Sequence, residues 1–299
     1  MTDFFKKYPA LIVFIAAALL ITTVFVFYEL MYHRQNRQQQ KAYEELNKTS
    51  WITEVIPEEE ENPESEEETE RRLNRERMDA FLKEGNNASD YRKLLYSHPN
   101  FESYWQINEE VVGHVLIPDT RIDYPVLYNA EVGDYYLKRN IDGSTGYPGC
   151  IYIEDINRPD LTDPVTILYG HNMLDGTMFG ELGKLYRKAE FREGHPYIFL
   201  YTPEAVNVYE VIACSTFSDD HLFFTYYEKD GEGDFCFTEL PDNAQVQILD
   251  KIKDYGDKNA FIKEDVSLTE SDRMLVLSTC YGDRRRFVVA GKLLFSNGY

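Results

Sequence analysis

The sequence predicts a mainly β fold, an eight-stranded closed or nearly closed barrel with a few peripheral helices, preceded by an N-terminal transmembrane helix. Two observations carry this. From about residue 90 onward, short apolar runs bounded by turn signals follow one another with no helices alternating between them, the pattern of a barrel rather than of a parallel α/β sheet. Before them, Tyr8 to Tyr28 holds no charged side chain, and at about 1.5 Å per helical residue it matches the roughly 30 Å apolar thickness of a bilayer.

The apolar segment ends in Phe25-Val26-Phe27-Tyr28 and then Leu30-Met31-Tyr32 rather than in a small-residue cleavage site, so an uncleaved signal anchor over 8–32 is expected, behind a short tail of residues 1–7. Lys6 and Lys7 precede the span while Arg34, Arg37 and Lys41 follow it, which leaves the orientation open on charge alone. Residues 33–50 are polar and Gln-rich, and Glu58 to Glu70 contains nine glutamates, with Pro57 before the run and Pro63 inside it. Such a stretch buries too little apolar surface to offset its chain entropy. Residues 33–70 are therefore expected to form an extended, self-repelling spacer that holds a domain of residues 71–299 off the membrane, an acidic docking tail being the alternative. Leu73, Met78, Phe81 and Leu82 fall near helical spacing, so Arg71 to Gly85 is expected as a solvated helix.

The expected strands are Val111 to Ile117, Tyr124 to Tyr128, Cys150 to Ile153, Pro164 to Tyr169, Tyr197 to Tyr201, Asn207 to Ser215, Arg273 to Ser278 and Arg286 to Phe295. Helical signals are confined to Ser89 to Tyr96, Met178 to Tyr186 and Asp242 to Tyr255, where Val246, Leu249 and Ile252 recur at helical spacing. The last helix sits on an insertion just before the Arg273 strand and is placed to wall a groove.

The net charge of −21 argues against nucleic acid as a partner, because phosphate neutralisation needs clustered Lys and Arg. The four cysteines, Cys150, Cys214, Cys236 and Cys280, form no C-x-x-C pair and no Cys/His cluster at zinc spacing, so neither a metal site nor a cofactor is expected. Cys150 and Cys214 lie within apolar runs and read as buried free thiols.

Cys280 differs, because it ends an apolar strand and a polar turn follows it. Arg286 begins the next strand, and a short connection favours pairing of the two strands. A thiol and a guanidinium then come within reach of one bound carbonyl, the layout of a cysteine acyl-transfer site. His171 follows the break of another apolar strand at Gly170, where a side chain can reach a cleft. A cysteine nucleophile gains from a basic partner, and His171 fits that part as general acid/base. Arg286, directly preceding its strand, is the arginine that strand can hold as an oxyanion donor; Arg284 and Arg285 are expected in the turn. The other histidines, His114 among them, read as structural.

Leu277-Ser278-Thr279-Cys280 with Arg286-Phe287-Val288-Val289, Tyr169-Gly170-His171-Asn172-Met173, and Ile117 to Val126 together resemble the sortases over roughly residues 90–299. His171-Asn172-Met173 followed by Met178-Phe179-Gly180, and the inserted helix, look most like class B. The resemblance implies a sortase barrel outside the cell, a single-pass anchor with a cytoplasmic N-terminus, and a transpeptidase in which Cys280 is the nucleophile, His171 the acid/base and Arg286 the transition-state stabiliser. Such enzymes cut a C-terminal sorting signal, LPXTG-like or NPQTN-like, after its threonine, hold the surface protein as a thioester, and release it onto an amine of the cell wall precursor or of a pilin. Ser278 matches a position lining the signal groove, Leu137 a position in its wall, and Tyr281 the active-site rim. The chain departs from the family's pattern at His114, where tryptophan is frequent, and at Tyr281, where an acid is frequent in class B. Glu154 and Asp155 are candidates for an acidic helper of His171. The competing readings are a cysteine protease hydrolysing the same acyl-enzyme, and a membrane-anchored, non-enzymatic binding module.

Overall fold

In the computed structural model, which describes residues 9–49, 51–53, 66–83, 88–218, 222–223, 226–229, 235–237, 239–257, 259–280 and 285–299, every expected apolar run is a strand. The chain runs α1 (Pro9–Thr49), β1 (Trp51–Thr53), α2 (Glu66–Lys83), α3 (Ala88–Leu95), β2 (Ser97–Pro99), α4 (Phe101–Trp105), β3 (Val111–Leu116) and β4 (Asp123–Leu127). After a 3-10 turn at Tyr135–Lys138 come β5 (Ile151–Ile153), β6 (Val165–Tyr169), α5 (Leu182–Leu185), α6 (Ala189–Gly194), β7 (Tyr197–Tyr201) and β8 (Ala205–Ser218). The remainder is β9 (Tyr227–Lys229), β10 (Phe235–Phe237), α7 (Ala244–Tyr255), β11 (Phe261–Ile262), β12 (Met274–Cys280) and β13 (Arg285–Gly298).

The main sheet runs β11-β8-β13-β12-β6-β5-β4-β3-β7, and β7 pairs back onto β8, so that eight strands close a barrel and the two-residue β11 is added at β8. The two-residue alternation of a strand sorts the apolar side chains between two cores. Leu275, Leu277, Phe287 and Val289 join the main core, while Met274, Val276, Val288 and Ala290 face outward against Ala244, Ile248, Leu249 and Ile252 of α7. The helix expected over 242–255 thus covers the outer face of the strands that lead to the site. Cys150 and Cys214 are free and buried, as expected.

The N-terminal third differs from expectation. Helix α1 is long and apolar enough to cross a membrane, with a mean hydropathy of 2.3 over its most apolar window, but it does not give way to an extended spacer at residue 33. It continues to Thr49 and lies against the barrel. Tyr32, Asn36, Gln40, Tyr43 and Asn47, spaced by three or four residues, form its docked stripe. Asn36 Nδ2 donates to Asp175 Oδ2 at 2.7 Å, Tyr124 OH to Gln40 Oε1 at 3.0 Å, Tyr43 OH to Cys150 Sγ at 3.4 Å and Asn47 Nδ2 to the Asp123 carbonyl at 3.0 Å. Polar side chains can be buried when the partner surface satisfies them, which is why a Gln-rich composition misleads here. At the far end β1 pairs with β2 in a small antiparallel sheet.

The helix expected from Arg71 starts earlier, at Glu66, and is docked rather than solvated. Met78 is buried, and the Phe81 ring meets Tyr197 at 4.7 Å and Phe295 at 5.4 Å. Most of the glutamate run, residues 58–65, lies outside the described residues.

Candidate active site

Strands β6 and β12 run parallel and in register, with Ser278 opposite Tyr169. Two hydrogen bonds extend that register past the end of β6: Gly170 N–H donates to the Ser278 carbonyl at 3.2 Å, and Thr279 Oγ1 donates to the Gly170 carbonyl at 2.7 Å. His171 is therefore level with Cys280. On the other side, β12 pairs antiparallel with β13, and Cys280 is opposed directly to Arg286. With neighbouring strands about 4.8 Å apart, the cysteine position stands between the histidine and the arginine on three adjacent strands. Arg285, expected in the turn, instead opens β13 and pairs with Ser218; Arg284 and Tyr281 lie outside the described residues.

Gly170 is required by close approach, since a Cβ there would sit 2.7 Å from the Phe179 ring and against Ile151. His171 is half-buried, and its Nε2–H donates to the Leu137 carbonyl at 2.8 Å. Because a carbonyl can only accept, this bond fixes the neutral tautomer with its lone pair on Nδ1. Burial pushes the imidazole below its ordinary pKa; the Leu137 carbonyl opposes that shift, and the charges of Arg286 and Lys138 reinforce it. Burial thus favours the neutral imidazole. Tyr147 packs on it, ring centroids 4.9 Å apart, and Tyr147 in turn packs on Tyr32 of α1 at 4.3 Å.

Leu137, expected in a groove wall, meets His171 through its main chain. The acid Glu154 accepts the Tyr169 hydroxyl at 2.7 Å, and the Asp155 carbonyl accepts the Tyr128 hydroxyl at 3.4 Å. Ser278 is buried between Tyr169 and Val288, at 2% exposure. Neither Tyr147 nor the Leu137 carbonyl was legible as part of the site. A carbonyl carries no residue-type signal, and one tyrosine among 23 has no distinguishing neighbour in sequence.

A family model described as the sortase domain matches residues 115–294. The chain is 33% identical over 194 residues to sortase B of Listeria monocytogenes, covering 63% of this chain and 72% of the relative. It belongs to the sortase family. Sortase B of Staphylococcus aureus is 30% identical over 216 residues, covering 68% of this chain and 80% of the relative. The crystal structure of sortase B from Bacillus anthracis superimposes with a TM-score of 0.53 at 31% identity, covering 65% of this chain and 82% of that one. The relatives and the barrel place the chain in class B, and it is a sortase transpeptidase. The His114 imidazole is fully buried; Nε2–H donates to Asp123 Oδ1 at 2.6 Å and Nδ1 meets the Tyr104 hydroxyl at 2.9 Å. His114 is a satisfied core histidine.

Proposed function

We propose that this class B sortase cleaves a C-terminal sorting signal, LPXTG-like or NPQTN-like, after its threonine and transfers the protein to an amine of the cell wall precursor or of a pilin. The observation that carries this is the position of Cys280 between His171 and Arg286 on adjacent strands.

In the first half-reaction the Cys280 sulfur bonds to the threonine carbonyl carbon, with His171 Nδ1 taking the thiol proton. Arg286 faces the resulting oxyanion, where a fixed cation stabilises charge that exists only at the transition state. As the C–N bond breaks, the imidazolium gives its proton to the leaving amine, and the acyl group stays on sulfur as a thioester. The acceptor amine then attacks the thioester, His171 removes its proton and passes it to the departing sulfur, and the thiol and neutral imidazole are restored. The depressed pKa of His171 suits this alternation, because the imidazole must be neutral before each attack. Ser278 and Tyr281 would flank the bound signal, and Leu137 holds the base through its carbonyl. No metal or cofactor is invoked.

The cell membrane is proposed as the location, with residues 1–7 cytoplasmic, 8–32 crossing once and the catalytic domain outside. The test is the full chain in detergent with a panel of quenched peptides carrying variant signals. Mass spectrometry should find cleavage after threonine and, with an added amine, the transpeptidation product. Products from hydrolysis alone at every amine concentration would favour a protease.

A further inference from the structure

The turn next to His171 carries an apolar tip where the anchor helix leaves its apolar segment. Asn172 and Met178 bridge across the turn, Gly176 N–H donates to the Met173 carbonyl at 3.1 Å, and Asp175 accepts Thr177 Oγ1 at 2.7 Å. The turn is held, and it presents Leu174 at 93% exposure. A single exposed leucine is ordinary; its place on the molecule is not.

Tyr32 OH donates to Met173 Sδ at 3.7 Å, and Asn36 fastens Asp175 one turn later. The uncharged run ends at Tyr28, four residues before Tyr32, which is about 6 Å along a helix. The polar layer of a bilayer is of similar depth, about 5–8 Å per face, from a total of roughly 40–45 Å less a core of roughly 30 Å. Helix α1 contains no Gly and no Pro after Pro9, so nothing in its sequence kinks it between the span and the dock. Two cations touch the tip: Lys184 Nζ donates to the Leu174 carbonyl at 2.9 Å, and Nη1 of Arg121, a side chain also paired with Glu181, donates to the Asp175 carbonyl at 2.7 Å; Arg34 and Arg37 are exposed on the docked helix. An apolar tip flanked by Lys184 and Arg121 suits the boundary between acyl chains and phosphates.

We propose that the 172–178 turn rests in the lipid headgroup layer with Leu174 against the acyl chains, so that the site opens at the membrane surface and not at the end of a spacer. The occupant of this surface is the bilayer that α1 crosses. The proposal rests on the anchor reading above and is independent of the chemistry assigned to Cys280. It would place the site at the depth where a membrane-bound substrate emerges.

The test uses the full chain in phosphatidylcholine–phosphatidylglycerol nanodiscs with brominated acyl chains, comparing Leu174→Trp and Ile52→Trp with wild type. Ile52 lies just past the end of α1, whose last residue, Thr49, is about 26 Å further along the helix axis than Tyr32; the side chains of Ile52 and Leu174, where tryptophan is placed, are both exposed. The excess emission of the Leu174→Trp protein is expected to be blue-shifted and quenched at least twofold by bromine, and that of Ile52→Trp to be unaffected. Quenching at 174 no greater than at 52 overturns the proposal. Peptide cleavage by the same samples reports only on the Cys280 chemistry, so failure of one reading is visible apart from the other.

Discussion

Cys280 and Arg286 are directly opposed across the antiparallel β12–β13 pair, while β6 brings His171 to the other side of Cys280. The barrel closure that fixes this register is the structural origin of the site. Arg286→Ala is expected to lower kcat by about 10²- to 10³-fold with a smaller change in KM, because the lost donor acts on the transition state. Arg286→Lys keeps the charge but not the planar fork and should fall between the two. Steady-state kinetics with a cleaved signal peptide check the order.

The charge of Arg286 also acts on His171, whose pKa is lowered first by burial and then, against the Leu137 carbonyl, by Arg286 and Lys138. Replacing Arg286 with Met should therefore raise the His171 pKa, read by NMR titration of the imidazole even if activity is lost. The linked stability has a definite sign. A histidine depressed in the folded state contributes stability that is present above its unfolded value near 6.5 and lost as pH falls through the folded value. His171→Gln should reduce acid sensitivity in that window, measured as Tm against pH.

Gly170→Ala would press a Cβ into Phe179 and Ile151. The expected cost is about 1–3 kcal/mol from overpacking, with a fall in kcat as His171 is displaced from the level of Cys280. A Tm and a kcat equal to wild type would contradict the register argued for the end of β6.

Burial sorts the thiols. Cys150 is pushed up to about 12 and Cys214 to about 11, in both cases chiefly by burial. Both should stay unmodified by iodoacetamide at pH 7 in the folded protein, whereas Cys280 should be alkylated, and more slowly in His171→Gln. Peptide mapping after timed quenching distinguishes the sites.

The docked part of α1 belongs to the catalytic domain. Tyr43, 2% exposed, packs its ring 5.3 Å from that of Tyr124, and Tyr43→Ala should cost about 3 kcal/mol, on the scale of large aromatic truncations. A fragment starting at residue 72 should unfold at lower temperature than one starting at residue 32. Equal melting temperatures would show that the helix contributes nothing.

The barrel was legible because each of its strands is a short apolar run bounded by turn signals, buried along most of its length. The pairing of Cys280 with Arg286 was legible because a short turn joins their strands. Helix α1 beyond residue 32 was not. The partners of Asn36, Gln40 and Asn47 lie 139, 84 and 76 residues away in sequence, so only the fold reveals that Asn36 Nδ2, Gln40 Oε1 and Asn47 Nδ2 find partners. The three-and-four spacing of Tyr32, Asn36, Gln40, Tyr43 and Asn47 was the available signal, and composition outweighed it. Glu154, one of two candidate acidic helpers of His171, accepts a tyrosine hydroxyl, and the imidazole is held by a main-chain carbonyl that no residue type announces.

The most direct test is the intact mass of the full chain, wild type and Cys280→Ala, after brief exposure to a panel of sorting-signal peptides without added amine. The mechanism predicts a mass increase equal to the peptide fragment ending in threonine, mapped to Cys280, absent from the variant and removed by an acceptor amine. Peptide cleavage with no adduct on Cys280, or cleavage that survives in Cys280→Ala, would contradict it.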